Sequence, residues 1–397
     1  MSITITTADA NGASGTTTRT KKFAVKLYQG AMQLASVPTT PAAGKWSATW
    51  PKALAPGTYS ATAGTQGKAF TVAAPPPPPP DRLYPTSPFW TPVGANPQLD
   101  PNSLAYVGNF LAQGMWANKP QGTELGPDDW TRPFYRAKDT DPIYTIRQGD
   151  TGGWVNPAVE GRTIRVPAGA RPAGGDDSQK LDGGVVIQQP DGTVVSIWRS
   201  RDPVDGHCAQ AAVISSTGDG IYHGDGDSGI GQAKLGPRQG QVTYDELVVA
   251  KEIPHALFFE THLWHGRRWP GWPGDAKDPE RGGWTSNPAA LPMGGRMFLA
   301  YTPAEIGALS IPAWKKILVT ALAKFGLVSY DNGGSAHSLD WESGIPSILE
   351  TGQNKWTEWA QSVGIPGHTD GGRMVYAVDI QSGIDWSRLR VLAPPTP

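Results

Sequence analysis

The segment Pro254 to His265 (PHALFFETHLWH) gathers three histidines, a glutamate and an indole. Read as one strand, period-2 alternation puts Glu260, His262 and Trp264 on one face. His255, Leu257, Phe259 and His265 then take the other. A carboxylate beside an imidazole can pass protons, and a neighbouring indole can stack on a sugar ring. Glu260 and His262 are therefore the candidate catalytic residues. The competing reading of the pair is a hydrogen-bonded couple that orders the sheet. The spacing is not the HExxH of zinc proteases, because no histidine stands in helical register with Glu260.

A Pro/Gly-rich stretch follows, in which Trp264, Trp269, Trp272 and Trp284 alternate with Arg267, Arg268 and Arg281. Either the indoles fill a small core under a long loop, or some offer flat faces to a ligand. Indole faces stack on sugar rings, and arginines hydrogen-bond hydroxyls and carboxylates. Trp264, Trp269, Trp272, Trp284, Arg267 and Arg268 form the candidate ligand-binding set. A second polar group, Asp331, His337, Asp340 and Glu342, follows an expected strand. Carboxylates at such strand ends serve active sites, and also ordinary turns.

Other matches are weaker. Gly226-Asp227-Ser228-Gly229 copies part of a serine-protease signature, with His207-Cys208 upstream, but the separation is too short to unite a triad. Asp219, Asp225 and Asp227 lie near His223, without the order or distal glutamate of a calcium loop. No motif calls for a metal or cofactor.

The elements that must position these residues are short. Phe23, Val25 and Leu27, then Trp46, Ala48 and Trp50, repeat with period 2, and Gln29-Gly30 turns the chain between strands. Val185–Gln189 and Thr193–Trp198 flank Pro190-Asp191-Gly192, a hairpin signal. Gln241 to His265 reads as two strands divided by Pro254. Asp100-Pro101 opens a helix whose apolar stripe is Leu104, Val107 and Leu111. Thr302-Pro303-Ala304-Glu305 is a capping box. Pro312 opens a longer helix with Trp314, Ile317, Leu318, Ala321, Leu322 and Phe325 on its apolar face, stopped by Gly326. Leu327–Asp331 is the strand after it.

The 397 residues suffice for two or three domains. A formal net charge of −1 gives no electrostatic case for nucleic acid or an anionic membrane. The single cysteine, Cys208, excludes an intrachain disulfide. Pro75 to Pro80 are six consecutive prolines, which favour a polyproline II rod spanning roughly 19 Å. The expected organisation is a β-sandwich over 1–74, a linker over 75–81, a β-rich domain over 82–393 and a tail over 394–397. The first residues show no basic segment followed by an apolar run, so the expectation is synthesis in a cytosol without export and without membrane insertion.

Leu54-Ala55-Pro56-Gly57-Thr58-Tyr59 resembles the late-strand motif of bacterial immunoglobulin-like domains, with Tyr59 at the sheet corner. Ile253-Pro254-His255-Ala256-Leu257 and Ala321–Asp331 resemble segments of a β-rich domain in minor tail proteins of actinobacteriophages and in secreted actinobacterial proteins. The resemblance implies an all-β fold with a few helices. An immunoglobulin-like sandwich would be joined by the proline linker to a larger jelly-roll or lectin-like sandwich. It further implies a virion tail component, present in many copies, that contacts other tail proteins and displays a host-surface or carbohydrate-binding domain. No complete catalytic motif is present, so binding without turnover is expected. A glycan lyase or hydrolase using Glu260 and His262 is the enzyme alternative, and a purely architectural tail part is the third.

Overall fold

The computed structural model describes residues 2–8, 12–51, 57–72, 82–113, 123–125, 131–149, 155–174, 178, 182–221, 231, 233–271, 283–333, 337–370 and 373–394. The linker prolines, residues 52–56, the Gly226–Gly229 motif, His223, Asp225, Trp272 and Arg281 lie outside these. The chain divides into two compact units, Met1–Asp81 and Arg82–Pro397. Both are rich in strands.

The first unit has seven strands: β1 (Ile3–Ala8), β2 (Gly12–Thr17), β3 (Phe23–Gln29), β4 (Met32–Thr39), β5 (Lys45–Thr49), β6 (Gly57–Ala63) and β7 (Gln66–Val72). They form a three-stranded sheet, β1-β2-β5, and a four-stranded sheet, β4-β3-β6-β7. Alternation is strict where the sequence shows it. β3 buries Phe23, Val25 and Leu27, and β5 buries Trp46 and Ala48. These side chains share one core with Tyr59, which stacks on Phe70 at 5.7 Å. Gly30, at φ +57°, makes the β3–β4 turn, a conformation that costs glycine nothing.

In the second unit the elements are α1 (Ser103–Ala112), β8 (Thr123–Leu125), β9 (Phe134–Arg136), β10 (Ile143–Thr145), β11 (Arg147–Gln148), β12 (Thr163–Arg165), β13 (Val185–Gln188) and β14 (Thr193–Trp198). Then come β15 (His207–Cys208), β16 (Gln210–Ser215), β17 (Leu257–Thr261), β18 (Arg296–Leu299), α2 (Pro303–Ala308), α3 (Ala313–Lys324), β19 (Leu327–Asn332) and β20 (Ser338–Leu339). The last are α4 (Ile345–Thr351), α5 (Lys355–Ser362), β21 (Gly367–Asp370), β22 (Arg373–Val378) and β23 (Leu389–Val391). The two sheets that matter most are β16-β14-β13-β9 and β20-β17-β19-β18-β23. In the second, β17 and β19 are parallel, and α3 precedes β19 as a crossover helix does. Among the described residues no helix is long and apolar enough to cross a membrane.

Several local expectations are met. The β13–β14 hairpin forms with Gln188 opposite Val194, and the Asp191 carboxylate accepts the Thr193 N–H at 2.8 Å. The capping box at Thr302 and Glu305 closes in both directions. Others are corrected. Gln241–Ile253 is not a strand: Asp245–Ala250 winds as a π-helix, because Thr243 Oγ1 accepts the Glu246 N–H and the Glu246 carboxylate is drawn in to His255 at 3.1 Å. In α1 the inward side chains are Ser103, Val107 and Phe110, with Leu111 packed partly against the core, while Leu104 is 75% exposed, because the packed face is centred on Val107 and Phe110. In α3 Lys315 is buried, which the apolar stripe does not foretell; its ammonium meets the Asp379 carboxylate at 3.2 Å and the Ser382 carbonyl at 2.9 Å.

The main core of the second unit packs α1, α3 and α5 against the five-stranded sheet. Trp341, Trp356, Trp359 and Trp314 form an edge-to-face chain with ring centres 5.4–5.8 Å apart. Such contacts add roughly 0.5–1.5 kcal/mol per pair to the burial itself. Each buried apolar cluster draws its residues from one unit alone. Residues 82–397 expressed by themselves are therefore expected to melt cooperatively, at the midpoint this unit shows in the full chain. Calorimetry of both proteins checks this, and loss of the transition in the fragment would mean that the units fold interdependently.

Candidate functional site

The polar centre of the second unit lies at the C-terminal ends of the parallel strands β17 and β19. Glu260 and Asp331 are register partners there, just past a bulge after Phe259. Partners on adjacent strands share a face and stand about 5 Å apart. Ser338 of β20 pairs with Glu260 from the other side and donates its hydroxyl to Glu260 Oε2 at 2.9 Å. The extended segment after β20 then carries Asp340, whose N–H bonds the Phe258 carbonyl at 3.0 Å.

Into this group comes Arg132, from the approach to β9 in the other sheet. Its Nη2 donates to Asp331 Oδ2 at 3.0 Å, its Nη1 stands 3.8 Å from Asp340 Oδ2, and its guanidinium lies over the Tyr330 ring at 4.9 Å. Backbone bridges bring the segments together: Arg132 pairs with Glu342, and Val242 with Trp341. Gln241 donates its amide nitrogen to Asp340 Oδ1 at 3.2 Å and to the Trp341 carbonyl at 3.0 Å. Gly231 permits the close approach beside Tyr330. A Cβ there would lie 2.9 Å from the phenol carbon and 3.2 Å from Asp331 Oδ2.

Three carboxylates thus face one guanidinium in a largely enclosed space. They cannot all ionise cheaply, because the acids repel one another where water screens them poorly. Burial, followed by the charges of Asp331 and Asp340, pushes Glu260 up to about 8 against the pull of Arg132 and the Ser338 hydroxyl. Burial also raises Asp340. It would by itself lower Arg132, but Tyr330 and the acids hold that cation well above its ordinary value. Glu260 keeps part of its surface open, and Asp331 is 20% exposed. The group therefore contains a carboxylic acid that holds its proton at neutral pH beside an arginine-bound carboxylate, the pairing that general acid chemistry requires.

Glu342 belongs to a separate node. Burial would raise it, but Arg238 at 3.3 Å, Lys355 at 3.0 Å and the Tyr244 N–H at 2.9 Å hold it below its ordinary range. His337 stacks on Phe110 at 4.1 Å and accepts the His262 backbone N–H on Nδ1 at 3.1 Å; burial pushes it down to about 4. Asn332 turns its amide nitrogen to the carbonyls of His262 and Thr261, at 3.0 and 3.1 Å.

The expected face of Glu260, His262 and Trp264 does not form, because β17 ends at Thr261, short of His262 and Trp264, while the bulge, at Tyr330 of β19, sets Asp331 opposite Glu260. Glu260 turns to Ser338 and Arg132, while His262 adjoins His337. Trp264 is wholly buried in a cluster with Phe89, Phe258 and Tyr330, so its indole is a core element and not an exposed platform. Its backbone pairs with Trp284. Trp269 and Trp284 pack against that cluster and stay partly exposed. Arg267 lies over the Trp264 ring at 5.0 Å. Arg268 ties Asp100 at 2.6 Å and the Leu392 carbonyl at 3.1 Å, which fixes it as a link between chain ends of the unit. His255 pairs with Glu246, not with Glu260. Asp219 makes a local turn by accepting the Ile221 N–H at 3.0 Å, and His207 and Cys208 lie in β15, with Cys208 buried. Among the described residues no group of His, Cys, Asp and Glu is arranged to hold a metal.

Glu260, Asp331 and Asp340 stand out in the sequence singly, with nothing to join them, and Arg132, Gln241 and Ser338 carry no local signal of a site. Comparisons with family models, curated proteins and solved structures return no match.

The electrostatics give a pH prediction. Between its ordinary 4.5 and about 8, folded Glu260 keeps a proton that the unfolded chain has released. Its contribution is then full below about 4.5 and is lost as pH rises towards 8. Glu260→Gln keeps the neutral shape at every pH. The variant should match wild type near pH 4 and exceed it by roughly 2–4 kcal/mol at pH 9, within the ceiling of about 1.4 kcal/mol per pH unit between the two values. Denaturant titrations at both pH values check this; a variant less stable than wild type at pH 9 would contradict it.

Proposed function

We propose that the chain is a virion component of the minor-tail type whose second unit engages carbohydrate of the host envelope at the Arg132 group. The first unit, with three- and four-stranded sheets around one core and a buried Tyr59, supports an immunoglobulin-like sandwich acting as spacer or attachment module. For the second unit the lectin-like reading draws on its several sheets. The parallel β17–β19 pair is foreign to a purely antiparallel jelly roll, and it moves the expected ligand from a concave sheet face to the strand ends. The observation that carries the reading is the partly open, acceptor-rich group of Glu260, Asp331 and Asp340. Sugar hydroxyls are donors suited to such a surface.

Glycan cleavage is the second reading, and protonated Glu260 is what favours it. In a hydrolysis, Glu260 would give its proton to the departing glycosidic oxygen. Water would supply the hydroxyl at the anomeric carbon and return a proton to the carboxylates. His262, placed at His337, takes no part in this version.

Full-length protein should bind host-envelope preparations weakly as a monomer and far more tightly when arrayed, because tethering raises effective concentration. Binding should change little between low and high salt, since the net charge is close to zero. Glu260→Gln should weaken binding while the thermal midpoint at pH 7 holds or rises. Retained binding with lost turnover in that variant would select the cleavage reading. A chain absent from purified particles would remove the virion assignment.

A further inference from the structure

We infer that the glycan taken at the Arg132 group is uncharged, and that the site rejects polymers bearing uronate or phosphate. This rests on the carbohydrate reading above and narrows it to a substrate class. Among the described residues, the cations of the site are already engaged. Arg132 is held by Asp331 at 3.0 Å and Asp340 at 3.8 Å, with its guanidinium face on Tyr330. Arg238 and Lys355, the cations of the adjoining node, are both held by Glu342. Each of these cations already has its carboxylate, so an arriving anion would have to break an existing pair to gain one. It would meanwhile face Asp331 and Asp340, and like charges brought together in a poorly screened space discriminate strongly.

One acceptor at the group lacks a donor. Gln241 is 2% exposed, and its amide lies on the group through the bond from its nitrogen to Asp340 Oδ1. Its Oε1 is enclosed and has no hydrogen-bond partner. A buried acceptor left unpaired is costly, and a donor hydroxyl relieves that cost where an anionic oxygen adds to it. The same charge pattern separates the two forms of cleavage. Elimination from a uronate needs a cation to neutralise the sugar carboxylate while its α-proton is removed. Arg132 is already engaged, so any cleavage here is hydrolysis of a neutral glycan.

The test uses the full chain with four probes: dextran and galactan as neutral polymers, polygalacturonate and polyglycerol phosphate as anionic ones. A neutral polymer should bind at least about tenfold more tightly than either anionic polymer, a difference readable by calorimetry or affinity electrophoresis. Asp340→Asn should shrink that ratio by admitting the anionic polymers. Gln241→Met should weaken neutral-polymer binding, with thermal melting confirming that both variants fold. Should either variant unfold, the wild-type ratio decides alone. An anionic polymer bound as tightly as the neutral ones, or more so, overturns the inference while leaving the carbohydrate reading standing. Failure of all four to bind removes both.

Discussion

The Arg132 guanidinium among Asp331, Asp340 and Glu260 is the contact on which the arrangement of the second unit turns. Arg132 is fixed at the entry to β9, in the four-stranded sheet, yet its charged end sits over Tyr330 of β19 in the five-stranded one. Ions in such a place lose most of their water, at up to several kcal/mol each after relaxation. The attraction offsets that loss only if the geometry is held. Holding it falls to the backbone: the Arg132–Glu342 and Val242–Trp341 bridges, and the bonds that lock Asp340 between Phe258 and Val242. Remove the guanidinium and the acids lose the cation that Asp331 and Asp340 face, a loss that typically costs about 3–5 kcal/mol.

From that contact the protonation of Glu260 follows. One cation cannot neutralise three acids, and Arg132 engages Asp331 directly and Asp340 at longer range. Glu260 is left with the Ser338 hydroxyl, whose bond offsets its burial only in part. Leaving it neutral is the least costly way to satisfy the excess, and its position at a strand end leaves that proton within reach of solvent. The fold thus prepares an acid without any unusual residue. The means are a bulge after Phe259, a parallel partner strand and a shortage of cations.

Much of the local structure was legible because it is written within a few residues. Gly192 after Asp191 specifies a turn, Thr302 with Glu305 specifies a helix start, and the alternation of Phe23, Val25 and Leu27 specifies a buried face. The site was legible only as fragments. Glu260 stands beside His262 and Trp264 in the sequence, but the structure sends those two elsewhere, because alternation cannot anticipate the end of a strand at Thr261. Asp331 and Asp340 drew notice as strand-end carboxylates. Arg132 gave no signal, since it is joined to Asp331 only by tertiary register across 199 positions of chain. Trp264 misled for a related reason: an indole in a Pro/Gly-rich stretch reads as loop, and only the paired backbone at Trp284 shows how such a stretch returns to the core.

The same group could be read as a tie between sheets and nothing more, and the other ionic nodes of this unit supply the comparison. Arg268 and Asp100 meet one to one, and Glu342 is paired with two cations, Arg238 and Lys355, and held ionised by them, with Arg238 also acting on Asp340. Lys315, enclosed under α3, meets Asp379 and a carbonyl. In each of those nodes the charges match or the cations are in excess, as a tie requires. At Arg132, among the described residues, three acids face one cation, burial holds the Glu260 proton towards pH 8, and a buried amide oxygen beside them lacks a donor. A tie gains nothing from that imbalance. Replacing Glu260 by a neutral residue would hold the sheets equally well and spare the fold its sensitivity to rising pH. A surplus of acceptors, set at the open ends of two parallel strands, is instead what a site needs if its ligand arrives with the donors.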